Sequence, residues 1–264
     1  MKSFILYGLI IFLCAPLWAQ RNFHKLYNLN NRNDFGKNII EESSGYAIFG
    51  VTSGGGNKMS FLRTDTIGTL AYHKEYGSSN HNLFGGGAWF SGYYGFGHFY
   101  DPIEGARDSH LFFVGDSLDS IKIVTVDFAF NDRINDAILL ADSTFIVLGT
   151  ATDTPVTNNI PFVAHIDSAG AILWYKEHDT ANLDEFVSNI VPTQNGGYVY
   201  SGVKEERPNG HWDIFLVKVD SAGNKLWEKI YRENLTQRFG HVTACKDGGF
   251  AIVGTGLGTR AMRS

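Results

Sequence analysis

The chain has 264 residues, 44% of them hydrophobic, and a formal net charge of −5 at pH 7. This charge gives no basic footprint for nucleic acid or for an anionic membrane surface, so neither partner is expected. Beyond the N-terminal segment no apolar run approaches the roughly 20 residues of a membrane helix, so no transmembrane segment is expected in the mature chain.

Residues 1–19 have the three parts of a secretory signal peptide. Lys2 precedes an apolar run that extends to Cys14, and the small residue Ala19 follows. We expect cleavage after Ala19, a mature domain of residues 20–264, and secretion or display at the cell surface. Lipoprotein processing at Cys14 is the alternative, although that signal normally has a small residue where Leu13 stands. Cleavage leaves only Cys245, in an apolar strand where burial is expected, and excludes an intrachain disulfide.

The predicted strands repeat along the mature chain. Residues 23–27 match residues 227–231 and predict a first strand of the same type. A short apolar block then returns four times, and its aspartates are separated by 51, 51 and 53 residues: Asp65, Asp116, Asp167 and Asp220. This period is typical of propeller blades. A β-solenoid is the alternative, but its coils are shorter and lack regular hairpins.

Each repeat predicts four antiparallel strands. A hairpin comes first, and its second strand ends in a glycine: Gly50, Gly92, Gly149, Gly202 and Gly254. The third strand ends at the aspartate, and the fourth carries a large apolar residue seven positions later: Tyr72, Ile123, Trp174 and Trp227. No segment keeps an apolar helical period, so almost no helix is expected. The fold class predicted is an all-β propeller of four-stranded blades.

The repeated aspartates have a structural explanation as turn residues. In Asp65, Asp167 and Asp220 the carboxylate can accept bonds from amides two or three residues later, while the following glycine adopts positive φ. The second copy, at Asp116, has Asp119 in the glycine position, and aspartate tolerates that backbone conformation.

The last repeat is incomplete. The sequence contains five copies of the hairpin but four of the third strand, so about five repeats are expected with a partial fifth. Two interpretations remain open, a fragment of a longer propeller or a five-bladed ring with one thin blade. We favour the fragment, because complete proteins usually cover unpaired strand edges.

The best-preserved units, Asp213 to Trp227 and Asp247 to Gly254, resemble those of secreted bacterial β-propeller repeat proteins associated with type IX secretion. The resemblance weakens toward the N-terminus, and the C-terminal sorting domain such proteins often carry is not found, which again favours a fragment. The aspartate-glycine-tryptophan part is also similar to PQQ-binding quinoprotein propellers, but their paired adjacent cysteines are missing. No catalytic residue, metal or cofactor is expected from either resemblance.

One glycine-rich segment, residues 84–100, is unusually aromatic. Rings on such loops offer a rigid surface to a sugar or a protein. The candidate ligand-binding residues are Tyr93, Tyr94, Phe96 and Tyr100, with core packing as the competing interpretation. Trp89 and Phe90 are expected in the core.

The segments that lead from a fourth strand into the next hairpin are polar and should share one face, where ligands commonly dock. Their acids match no known calcium loop, and the histidines show no metal-ligand spacing. Nothing pairs the available carboxylates for glycoside hydrolysis: Asp184, Glu185, Glu205, Glu206 and Asp213. The predicted function is a non-enzymatic scaffold for an extracellular protein or glycan. The alternative is a propeller enzyme, either a glycosidase or a quinoprotein-like oxidoreductase.

Overall fold

The computed structural model describes residues 25–29, 32–90, 92–152, 158–178, 183–207, 211–232 and 236–257. The predicted signal peptide lies outside these ranges. Within them the regular structure consists of strands alone. The described residues accordingly contain no helix of the length and apolarity needed to cross a membrane.

Eighteen strands form four four-stranded sheets and one hairpin. Blade 1 contains β1 (Asn33–Glu42), β2 (Gly45–Ser53), β3 (Asn57–Asp65) and β4 (Leu70–Tyr76). Blade 2 contains β5 (His81–Trp89), β6 (Gly92–Asp101), β7 (Ala106–Gly115) and β8 (Ile121–Val126). Blade 3 contains β9 (Asn131–Leu139), β10 (Phe145–Thr152), β11 (Ile160–Ile166) and β12 (Ile172–Glu177). Blade 4 contains β13 (Glu185–Pro192), β14 (Tyr198–Arg207), β15 (His211–Val219) and β16 (Lys225–Tyr231). The fifth hairpin pairs β17 (Thr236–Ala244) with β18 (Phe250–Leu257).

Every sheet is an antiparallel meander, and the first strands of successive units contact one another. We call β1, β5, β9, β13 and β17 the inner strands. This architecture is a β-propeller, and the prediction of about five repeats with an incomplete last one is confirmed. In the described part of the chain, extensive contacts join each unit to the next, and none joins the fifth hairpin to blade 1.

The core lies between blades rather than in one centre. Strands that are covered on both faces need nearly continuous apolar sequence, and all eight residues of β10 are buried. Aromatic side chains dominate the seams on either side of blade 2, such as Phe61 packed on Tyr93 and Tyr94 packed on Phe145. The seam between blade 4 and the fifth hairpin is much smaller, with Val199, Leu216 and Val242 as its buried members.

The repeated glycines allow the bulged inner strands to approach closely. A Cβ added at Gly149 would lie 2.4 Å from the Arg133 carbonyl oxygen, and one at Gly202 would lie 2.3 Å from that of Phe186. Each inner strand has its register shift beside this point. In blade 2 the equivalent glycine is Gly97. The prediction of Gly92 was therefore wrong, since Gly92 begins β6.

Three of the aspartate turns share one geometry. The Oδ1 atoms of Asp65, Asp167 and Asp220 each accept two backbone N–H bonds, from the residues two and four positions later. The glycine of each turn has a φ between +77° and +87°.

The turn at Asp116 is different, which corrects the sequence interpretation. It begins one residue earlier, with a bond from the Leu118 N–H to the Gly115 carbonyl. Leu118 adopts the positive φ expected of Asp119. The Asp116 carboxylate instead pairs with Arg63 at 3.0 Å.

Two further expectations fail. Lys25 to Leu29 form no strand, although a fourth-type strand was predicted over residues 23–27, of which 23 and 24 lie outside the described residues. Such a strand needs a third strand as its partner, and the fifth hairpin offers none. Instead the Tyr27 hydroxyl donates to the Gly68 carbonyl. Cys245 is a half-buried free cysteine in the β17–β18 turn rather than a buried strand residue.

Polar side chains tie neighbouring inner strands together. After the bulge, Asn38, Asp136 and Asn189 each bond the backbone of the next unit, at Gly86, Ile190 and Val242 respectively. These ties are a second repeated feature, and the sequence reasoning missed it.

A second set of ties lies where the inner strands begin. Asp132 accepts the Ser109 N–H of the preceding blade, and Gln237 accepts that of Ile214. Asp132 is 1% exposed, and burial raises its pKa to about 6. We call this side of the propeller, where strand two connects to strand three and each blade connects to the next, the loop face.

Candidate functional site

Three of the four predicted ligand-binding aromatics are core residues. Tyr93, Tyr94 and Phe96 are each less than 9% exposed. Successive residues of β6 point to opposite faces of a sheet that is covered on both sides, so Tyr93 faces blade 1 while Tyr94 and Phe96 face blade 3. Their proposed role in ligand binding is therefore wrong for the folded protein.

The environment of Tyr93 shows its structural role. Its hydroxyl donates to Glu42 and accepts from the Arg63 Nε at 2.9 Å, and the guanidinium lies 5.2 Å from the ring centroid. Burial raises the pKa of Tyr93 to about 12, so the phenol stays protonated. Among the aromatics expected in the core, Trp89 stacks on Phe145, but Phe90 is 82% exposed at the β5–β6 turn.

Tyr100 is the predicted residue that reaches the surface. It lies near the end of β6 on the loop face and is 37% exposed. The Arg107 guanidinium sits over its ring, 5.7 Å from the centroid. Tyr100 therefore borders a set of residues that the sequence reasoning did not select.

A cavity of about 310 Å³ opens between blade 4 and the fifth hairpin. We call it the aromatic cavity, and it is lined by Phe186, Ser188, Val203, Trp212, Gln237, Arg238 and Phe239. Its size is at the lower end of the range of small-ligand sites. The Phe186 and Trp212 rings lie 5.3 Å apart and are inclined by 36°.

The local sequence explains how these rings are presented. Phe186 is the second residue of β13, and Trp212 is the second residue of β15. Both strands start on the loop face. Their first turns lack the cover that the blade interiors receive, and both rings remain half-buried. The cavity therefore has aromatic surface at a strand end that is held by the sheet.

Phe239 forms the other wall under backbone strain. It is a non-glycine residue with φ of +55°, it lies in the register shift of β17, and it is 65% exposed. A strained, exposed aromatic is costly to keep for stability alone, and such residues concentrate at ligand sites. Next to it, Arg238 is exposed and contributes a positive charge to the rim.

On the other side of Phe186 lies Arg133. Its guanidinium carbon is 5.3 Å from the Phe186 ring centroid, and its Nε donates to Thr150 Oγ1 at 2.9 Å. Burial, and then the neighbouring Arg107, lower the pKa of Arg133. The two arginines line a polar cavity of about 10 Å³, which we call the arginine pocket; its other lining residues are Asn131, Asp132, Thr150 and Asn159.

The resulting arrangement is an arc on the loop face. It runs from Trp212 and Phe186 in blade 4, across Arg133 in blade 3, to Arg107 and Tyr100 in blade 2. Rings and guanidinium groups alternate along it. Such a surface can stack on the faces of a ligand and hydrogen-bond its polar edges.

A departure from the repeat was the available signal for this site. Eight residues before the turn aspartate the chain has Asn57, Asp108 and Asn159, but Trp212 in the fourth copy. Arg133 likewise stands where blades 1 and 2 have Phe35 and Leu83. Scaffold residues recur, whereas these positions change character.

The carboxylates considered for hydrolysis serve other purposes. Glu185 and Asp213 are each at most 2% exposed, and Glu185 lies 3.6 Å from the Lys204 ammonium. Asp184 accepts two bonds from Asn159. The side chain of Glu206 lies outside the described residues. In the part of the chain that the structure covers, no group of three or more histidine, cysteine or acidic side chains is arranged to hold a metal ion.

Neither a family model nor a curated protein matches this chain. Solved structures with a similar fold include a mutant of Synechocystis apocarotenoid oxygenase (ACO), with 13% identity and a TM-score of 0.47 over 78% of this chain. Cobalt-substituted Synechocystis ACO is 11% identical with a TM-score of 0.48 over 78% of this chain, and an ACO/RPE65 chimera is 11% identical with a TM-score of 0.46 over 76%. This chain spans about half the length of those proteins, 50%, 50% and 49% respectively. Similarity at this level concerns the fold alone.

Proposed function

We propose that the protein is an extracellular, non-enzymatic binding propeller and that the aromatic cavity on its loop face binds carbohydrate. The observation that carries the proposal is the pair of half-buried rings, Phe186 and Trp212, 5.3 Å apart at the mouth of a cavity of about 310 Å³. Aromatic rings offer large contact area at low conformational cost, which suits the apolar faces of sugar rings.

The polar groups around the rings support this ligand class. Ser188 and Gln237 line the same cavity and can bond hydroxyl groups, while Arg238 contributes charge at the rim. A few polar groups among apolar walls are typical of small-ligand sites. The export signal expected for residues 1–19 would place the cavity where extracellular glycans occur.

The absence of enzymatic activity is proposed on the same residues. Glu185 and Asp213 are buried in blade 4, and neither they nor Asp184 line the aromatic cavity. A glycoside hydrolase needs two carboxylates that flank the bound sugar. A bound oligosaccharide should therefore be recovered intact.

The test is calorimetric titration of the protein with a panel of plant, algal and bacterial oligosaccharides, followed by chromatography of the sugar. We expect Trp212→Ala to weaken binding at least about tenfold, as for loss of a central aromatic contact. Trp227→Ala is the matched control, because Trp227 lies on the outer strand of the same blade and is 37% exposed. Equal affinity of wild type and Trp212→Ala, or cleavage of the sugar, would contradict the proposal.

A further inference from the structure

We infer that the ligand of the aromatic cavity is an acidic carbohydrate, and that Arg133 and Arg107 receive its carboxylate. This inference rests on the proposed function and names the substrate class of the same site. Its basis is the position of the arginine pocket directly beside the aromatic pair.

Two guanidinium groups share the arginine pocket without a carboxylate to neutralise them. Within the described ranges, neither Arg107 nor Arg133 takes part in an ion pair, and the side-chain hydrogen bond of Arg133 goes to the neutral Thr150. Both residues are half-buried. Keeping two like charges partly out of water is unfavourable unless an anion compensates them.

The acids next to the pocket are already committed to the backbone. Asp132 accepts N–H groups of Ser109, Phe128 and Ala129, at 2.9, 3.2 and 3.2 Å. Asp184 accepts both the backbone and the side-chain nitrogen of Asn159. These carboxylates hold blades together, and the guanidinium donors are left for a ligand.

The geometry links this charge to the sugar site. Arg133 lies 5.3 Å from the Phe186 ring on one side, and Trp212 lies 5.3 Å from it on the other. The arginine pocket of about 10 Å³ has room for one water-sized group, such as a single carboxylate oxygen. A sugar ring stacked on Trp212 and Phe186 would direct a carboxylate on its edge toward Arg133, whose planar fork suits that group.

Single-stranded nucleic acid is the other anionic polymer that stacks on rings beside arginines. The formal net charge of −5 works against it, because nucleic-acid affinity depends on neutralising many phosphates. A uronate ligand needs one local carboxylate contact and no extended basic surface. The surface therefore favours acidic carbohydrate.

The experiment compares a galacturonate hexamer with its fully methyl-esterified form, which has the same rings without the charge. Wild type should bind the acid at least about tenfold more tightly, as expected for a charge-assisted contact. Arg133→Met should remove that preference while leaving the ester affinity unchanged. Arg107→Met should reduce it, and Arg133→Lys should restore part of it. Arg238→Met serves as the control for an exposed arginine at the rim.

The outcomes separate the two proposals. Equal binding of acid and ester by wild type, with both lost in Trp212→Ala, overturns this inference and supports the proposed function. Binding of neither hexamer overturns this inference, and binding of no oligosaccharide of the calorimetric panel overturns the proposed function. A tighter complex with a deoxythymidine oligonucleotide than with the uronate also overturns the inference. Thermal unfolding without ligand checks that each arginine variant is folded, and the wild-type comparison stands without them.

Discussion

Asn189 is the principal polar tie between blade 4 and the fifth hairpin, so its removal tests how that hairpin is held. Its Nδ2 donates to the Val242 carbonyl at 2.8 Å, and its Oδ1 accepts the Val242 N–H at 2.8 Å. Val242 is 3% exposed, so Asn189→Ala leaves two buried backbone groups unpaired. At about 1 to 2 kcal/mol for each, the hairpin should lose about 2 to 4 kcal/mol of its docking free energy.

The loss should be local, because the apolar seam at this point is small. Hydrogen–deuterium exchange followed by mass spectrometry should show faster exchange of β17 and β18 amides in Asn189→Ala. A change of about 3 kcal/mol corresponds to a factor on the order of 100. Amides of β6 and β7 in blade 2 should not change.

Asn38→Ala is the matched control for this variant. Asn38 is the equivalent residue of blade 1, but it is exposed, and its side chain ties only to Gly86 across the seam. Its loss should leave exchange of the fifth hairpin unchanged. Uniform acceleration in all blades of Asn189→Ala, or none, would refute the reasoning.

Two further changes test the packing of the blades. His98 and His110 are buried, and burial lowers their pKa values to about 3 and about 4, below the ordinary 6.5. Their contribution to stability is present above pH 6.5 and lost as the pH falls toward the folded values, on the order of 2 kcal/mol for each by pH 5. Urea unfolding at pH 7.5 and 5.0 should therefore show a smaller loss for His110→Gln than for wild type, and an equal loss would contradict this account. Gly149→Ala should cost at least about 3 kcal/mol, because its Cβ would lie 2.3 Å from the Phe162 ring. Gly36→Ala, with no atom within 4 Å, should stay within about 1 kcal/mol of wild type, and similar urea midpoints for both would contradict the packing argument.

The repeat pattern was sufficient to predict the blades because it reports local chemistry. Turn aspartates such as Asp220 bond amides of their own turn, and glycines such as Gly202 are required by the adjacent inner strand. Both leave a regular signal in the sequence. The exception at Asp116 arose because the turn shifted by one residue, which spacing does not reveal.

The site was harder to predict, since its members are distant in sequence. Tyr93 and Tyr94 were selected for composition, but composition does not show that both faces of β6 are covered. Arg107, Arg133 and Trp212 begin strands of three different blades and meet only through the order of the blades around the propeller. Their signal is a departure from the repeat, which becomes informative once the repeat itself has been assigned.

The most direct test of the account is a crystal structure of the protein with bound galacturonate oligosaccharide. We expect a sugar ring stacked on Trp212 and Phe186, with its carboxylate within hydrogen-bonding distance of Arg133. Ligand density elsewhere on the propeller, or a ring at this site with its carboxylate turned to solvent, would contradict the account.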